Sequence, residues 1–327
     1  MKSSQIAIAL ESLLDIRQPV FLSGPPGIGK SQVVIQTAAG LGLDIIDIRA
    51  ILLDPVDLRG LPRISPDGKS QWCAPAFLPT KGKGILFLDE LNAAPPLVQA
   101  ACYQLVLDRR LGEYILPDGW SVVAAGNREQ DRAVTHRMPS ALANRFVHLN
   151  FAVDSDDWVS WALENAIAPE LIAFIRFRPS LLHDFDPEKN HKAFPSPRSW
   201  EFVSNLMQSS PDSSVFKELV AGAVGTGGAS EFLGFLKIWG QLPTVGEILA
   251  NPSGIEIPKD PALLFAICEM MSHALDNGNF DGIMAYSSRL PIEFSVLLVR
   301  NAVLKNADIV NTKAFAGWAS CHSDVLV

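Results

Sequence analysis

The chain has 327 residues, 48% of them apolar and 19% charged, a globular composition too long for one small domain, so two domains are expected. Its net charge of −8 argues against a strongly basic nucleic-acid-binding surface. Cys73, Cys102, Cys268 and Cys321 lie far apart, and neither they nor the histidines, Cys321-His322 included, show metal-ligand spacing, which argues against a zinc site.

Ser3 or Ser4 is placed to cap a first helix, with Ile6, Leu10, Leu13 and Leu14 on one face. Met1-Lys2-Ser3-Ser4 has no cleavable signal layout, and no apolar run reads as long enough to span a bilayer. A cytoplasmic protein with reduced thiols is the expectation. Pro19 to Leu22 reads as a short strand, and Gln32 to Ala39 as a helix ending at Gly40. Between them stands Gly24-Pro25-Pro26-Gly27-Ile28-Gly29-Lys30-Ser31, which fits the phosphate-loop pattern. Its glycines let successive N–H groups curl around phosphate oxygens, with Lys30 as a positive charge for the outer phosphates. Ser31 offers a hydroxyl to Mg²⁺, and the helix start, with Gln32 in its first turn, turns its positive end to the anion. The pattern calls for a nucleoside triphosphate with Mg²⁺.

Leu43 to Ile48 reads as a second strand, and Asp54 to Gly60 as a helix soon interrupted. Ile64 and Trp72 flank Pro66-Asp67-Gly68, which predicts an inserted hairpin. Gly84 to Leu88 is wholly apolar, as a central parallel strand requires, and delivers Asp89 and Glu90 at its end. In such sheets ligands lie beyond the carboxyl ends of the strands. Asp89 is thus placed to hold Mg²⁺ and Glu90 to deprotonate an attacking water. A helix follows from Leu97 to Asp108. Leu111 to Leu116 and Trp120 to Ala125 read as two strands joined through Pro117-Asp118-Gly119 into a second hairpin. Asn127 ends the second of these, within reach of a γ-phosphate or its attacking water. Pro139 to Arg145 is a short helix before a fifth core strand, Phe146 to Phe151.

The expected fold is α/β: a doubly wound, five-stranded parallel sheet over residues 1–152, then an all-helical region over 153–327. In that region Ser196-Pro197-Arg198 opens a helix whose buried face is read as Trp200, Phe202, Val203, Leu206 and Met207. Ser213 to Trp239 reads as two helices broken near Gly225 to Gly228. Further helices are expected over Pro243 to Ala250, Pro261 to Leu275 and Pro291 to Lys305, and the last residues are uninformative.

The order Gly24 to Ser31, Asp89-Glu90, Asn127, Arg145 and Arg198 resembles an AAA+ ATPase. The hairpins around Asp67-Gly68 and Asp118-Gly119, with Asp57-Leu58-Arg59-Gly60, resemble the MoxR-like branch, from residue 1 to about 205. The resemblance implies an ATP-hydrolysing hexameric ring that remodels a protein client, with a helical lid and a von Willebrand factor A domain partner. It makes Asn127 the first sensor, Arg145 the arginine finger acting on a neighbouring subunit, and Arg198 the second sensor. Arg128, Arg132 and Arg137 crowd the same region, and Arg137 rivals Arg145 as the finger. Two other classes stay open: a phosphotransferase of the P-loop kinase type, and a nucleotide-gated scaffold without motor activity.

Overall fold

The computed structural model describes residues 1–131, 136–189, 192–209, 212–275 and 279–321. Arg132 and His322 therefore lie outside the described residues. The chain divides into two compact units, one of Met1–Asp157 with Phe185–Asn190, the other of Trp158–Asp184 with His191–Val327.

The first unit opens with α1 (Ser3–Asp15), whose Ile6, Leu10 and Leu14 are buried. Neither serine is its cap. Lys2 holds that position, and the Ser4 N–H, an orphan of the first turn, is satisfied instead by the Asp157 carboxylate at 2.7 Å. Next come β1 (Val20–Ser23), α2 (Lys30–Gly40), β2 (Asp44–Arg49) and α3 (Pro55–Arg59). The inserted hairpin pairs β3 (Leu61–Ile64) with β4 (Ser70–Cys73), as its Pro-Asp-Gly turn predicts. Then follow β5 (Gly84–Asp89), α4 (Pro96–Asp108), β6 (Arg110–Leu111), β7 (Tyr114–Ile115), β8 (Trp120–Gly126), α5 (Ser140–Ala143) and β9 (Val147–Asn150).

Five strands form one parallel sheet in the order β2-β5-β8-β1-β9. Strand alternation sorts its core into two faces. Val20, Leu22, Ile85, Phe87, Val123 and Ala125 pack with α1 and α2, while Phe21, Leu86, Leu88, Val122 and Ala124 pack with α4. Both central faces are thus covered by helices, the condition for an all-parallel sheet.

The second hairpin differs from its expected form. The strand Trp120–Gly126 does not fold back on Leu111–Leu116 across Pro117-Asp118-Gly119. The small antiparallel pair is β6 with β7, turning at Gly112-Glu113, and β8 lies between β5 and β1. All seven residues of β8 are buried, and only the middle of a sheet covers such a run on both faces. The same Pro-Asp-Gly chemistry that closes the first hairpin here only leads the chain into its central strand.

The helical region holds α6 (Ser155–Glu164), α7 (Pro169–Phe177), α8 (Pro197–Ser209), α9 (Ser213–Trp239), α10 (Val245–Ala250), α11 (Pro261–His273), α12 (Phe280–Ser287), α13 (Ile292–Lys305) and α14 (Lys313–Cys321). α9 is interrupted at Gly225, whose φ of 76° and ψ of 162° are non-helical, so the expected break stands. By length and composition this helix is apolar enough to cross a membrane, which corrects the expectation that no run is. Its Val220, Val224, Phe232 and Phe235 are buried, while its most apolar window is 33% buried. Phe174, Trp200 and Phe232 meet edge to face with ring centroids 5.2–5.5 Å apart. Phe202 does not join them. It is 52% exposed, because the buried stripe of α8 runs through Ser199, Trp200, Val203 and Ser204. α12 and α14 are further helices that the sequence reading leaves undefined.

One polar network is sealed inside this second unit. Arg176 of α7 lies 3.6 Å from Glu269 of α11 and donates to Asn301 of α13 at 2.8 Å. Burial pushes the Glu269 carboxyl up to about 7, against the pull of Arg176 and Lys305. A carboxyl raised on folding contributes stability that is complete below its unfolded pKa of 4.5 and lost as pH rises through about 7. Glu269→Gln is expected to gain thermal stability relative to the wild type across that window, by up to about 3 kcal/mol. Parallel pH dependences in scanning calorimetry of the two full chains would refute this.

Candidate functional site

The loop between β1 and α2 is built by close approach as much as by backbone freedom. A Cβ at Gly24 would fall 2.6 Å from Ile28 Cδ1 and 2.9 Å from the Phe151 carbonyl. Gly29 caps α2 at a φ of 95°, which any other residue adopts only with strain. Ile28, only 6% exposed, anchors the loop in the core with Val33 and Val34. Pro25, Pro26 and Gly27 complete the curve, and Lys30, Ser31 and Gln32 form the first turn of α2.

Three strand ends meet this loop. Lys30 Nζ donates to the Gly24 and Pro25 carbonyls and to Asn127 Oδ1, each at 2.9 Å. Ser31 Oγ donates to Asp89 Oδ2 at 2.8 Å. Asp89 Oδ1 accepts the Glu90 N–H at 2.9 Å, so both of its oxygens are fixed. Lys30, Ser31, Asp89 and Asn127 are thus brought together, with Glu90 immediately beside them.

Glu90 is held at φ 56°, ψ 33°, a left-handed conformation that costs a non-glycine residue roughly 1–2 kcal/mol. Such strain concentrates at functional sites. The carboxylate follows β5 at the mouth of the sheet. Asp47 and Arg49 on β2 adjoin the same edge, with Arg49 in register with Asp89. Burial, then the Asp89 charge, raise the Asp47 carboxyl, while Arg49 opposes them. Neither residue, nor the buried Asn92, was legible as part of the site. Asp47 and Arg49 share a face with Asp89 only once the strand register is set.

The arginines are distributed differently. Arg145 is exposed before β9, whose first residue pairs with the first residue of β1. It therefore lies at the amino-terminal end of the sheet, opposite the phosphate loop of its own chain. Arg128 forms an ion pair with the buried Asp131 at 2.7 Å. Arg137 is exposed and follows His136, whose N–H is tied to the Asn92 carbonyl at the loop end. Arg198 is exposed in the first turn of α8, in the helical unit, behind the Ser196 cap that accepts the Ser199 N–H at 3.2 Å.

Chemically, curled amides, a lysine and a helix start at one point make an anion site. The Ser31 hydroxyl and Asp89 carboxylate supply oxygen donors only, which fit a hard cation such as Mg²⁺ that keeps most of its water. Among the described residues no group of three or more His, Cys, Asp or Glu side chains is gathered for a metal.

Sheet order and loop together define a P-loop nucleotide-binding domain. Residues 19–146 match the AAA domain (dynein-related subfamily). Midasin of Giardia intestinalis is 26% identical over 169 residues, which cover 49% of this chain but 4% of that protein's length. NtrX from Brucella abortus in complex with ATP shares 13% identity, covering 98% of this chain and 67% of its own, with a TM-score of 0.42. The RuvB Holliday junction branch migration motor of Thermotoga maritima shares 16%, covering 77% and 80%, with a TM-score of 0.41.

Proposed function

We propose that this chain is a MoxR-like AAA+ ATP hydrolase that works as a cytoplasmic, hexameric ring. In this reading residues 1–152 are the nucleotide-binding core and 153–327 the helical lid and its extension. The ring remodels or activates a protein client, chaperone-like, together with a von Willebrand factor A domain partner and without nucleic acid. The observation that carries it is the meeting of Lys30, Ser31, Asp89 and Asn127 at the carboxyl ends of β1, β5 and β8.

The loop amides and Lys30 bind the ATP phosphates. Ser31 and Asp89 would hold Mg²⁺, which supplies charge neutralisation at the outer phosphates. Glu90 takes the proton of the attacking water, and Asn127 orients that water or the γ-phosphate. Arg145 faces away from its own loop, which supports a role on a neighbour's nucleotide, where it stabilises transition-state charge. Arg198 reads the nucleotide from the lid. The β3–β4 hairpin, with Leu61, Ile64 and Trp72 exposed, is the surface offered to the client.

A shared site gives a test by mixing. Glu90→Gln and Arg145→Ala chains are each expected to be nearly inactive alone. In mixed rings one interface type has both groups intact, so an equal mixture recovers about a quarter of wild-type turnover. No recovery with Arg145→Ala but recovery with Arg137→Ala transfers the finger to Arg137. No recovery with either, or an active monomer on gel filtration with ATP, overturns the ring.

A further inference from the structure

The last ladder pair between β5 and β8 joins Leu88 to Ala124, and beyond it neither strand supports the other through its backbone. Glu90 and Asn127 both lie past that point. One side chain spans the gap. Asn92 sits in the 3₁₀ turn that starts from the Glu90 carbonyl, which accepts the Ala93 N–H at 2.9 Å. Its Nδ2 donates to the Asn127 carbonyl at 2.6 Å, and its own carbonyl accepts the His136 N–H at 2.6 Å. The side chain is 7% exposed, and its Oδ1 is buried with no hydrogen-bond partner among the described residues. An amide with an unmet acceptor is a costly choice for a buried site that needs only packing. The site is also shaped around it: a Cβ at Gly126 would lie 1.9 Å from Asn92 Oδ1.

We infer that Asn92 is a positioning residue for hydrolysis, locking Asn127 at a fixed distance from Glu90 across the open end of the sheet. The inference rests on the ATPase reading above. The bond that Asn92 Nδ2 offers goes to the Asn127 carbonyl. Asn92 acts through Asn127, whose Oδ1 takes the Lys30 hydrogen bond. Its loss frees the Asn127 backbone while the phosphate loop, held by its own bonds, keeps its shape.

The test is steady-state ATP hydrolysis by the full chain, beside equilibrium binding of a fluorescent ATP analogue. Asn92→Ala is expected to lower kcat by about 10–100-fold with KM and analogue Kd within about 3-fold of wild type. Asn92→Asp keeps the volume but sets an acceptor against the Asn127 carbonyl, and it is expected to lose as much. In an Asn127→Ala background Asn92→Ala costs no more than about a further 2-fold, because the two act as one unit. Unchanged kcat in either variant, losses that multiply in the double variant, or Kd weakening in step with kcat each overturn the inference. Should Asn92→Ala fail to fold, the isosteric Asn92→Asp decides. Wild type no faster than Glu90→Gln sinks the ATPase reading and this inference together, whereas active wild type with unaffected Asn92 variants sinks the inference alone.

Discussion

Replacing Lys30 with alanine is expected, on the proposed function, to weaken ATP binding by at least about 100-fold and to abolish hydrolysis. The ammonium lies at the start of α2, within 2.9 Å of two loop carbonyls and of Asn127 Oδ1. These are neutral acceptors that a phosphate oxygen outcompetes. A hydrogen bond to a charged group contributes about 1.5–3 kcal/mol, and Lys30 is placed to offer more than one. Alanine also leaves the Asn127 amide without its tether, so the loss reaches past the phosphates. Titration of a fluorescent ATP analogue checks the prediction. Affinity within tenfold of wild type would show that the loop amides hold the nucleotide without the lysine.

Glu90→Gln is expected to bind ATP as tightly as wild type, within about 3-fold, while hydrolysing it at least about 100-fold more slowly. Glutamine keeps the length and shape of the side chain but cannot accept a proton. The left-handed backbone at this position, φ 56°, is equally strained for either residue, so the comparison isolates the carboxylate. Asp89 cannot substitute for it. Both Asp89 oxygens are engaged, one by Ser31 and one by the Glu90 N–H. Wild-type hydrolysis no faster than the variant's, with a partner protein added, would leave a nucleotide-gated scaffold as the better account.

Much of this architecture is legible in the sequence where the determinants are local. The phosphate loop is contiguous, its flanks declare a strand and a helix, and the apolar run before Asp89 and Glu90 admits no solvent-facing placement. The second hairpin misleads because Pro117-Asp118-Gly119 carries the same turn chemistry as Pro66-Asp67-Gly68. What separates them is burial on two faces, a tertiary fact. Asn92 escapes notice because its role depends on Asn127, 35 residues away. Phe202 misleads because an aromatic at helical spacing reads as core, yet the stripe on α8 turns one position away from it. α12 and α14 are short; α12 buries Ser287 among apolar residues and α14 buries Trp318 alone, so no clean period marks them.

The break in α9 has a packing consequence. A Cβ at Gly225 would fall 2.9 Å from the Ala193 carbonyl, and one at Gly228 3.1 Å from the Pro195 ring. The segment that leads into α8 is therefore seated directly on the backbone of α9. Trp200 pins the next turn, donating to the Leu181 carbonyl at 2.6 Å and meeting Phe232 of α9 edge on. Arg198 rides between these two fastenings. Close-packed elements pass on strain instead of absorbing it. The interruption at Gly225 thus divides α9 into two arms, and the segment before α8 is wedged against the point where they join.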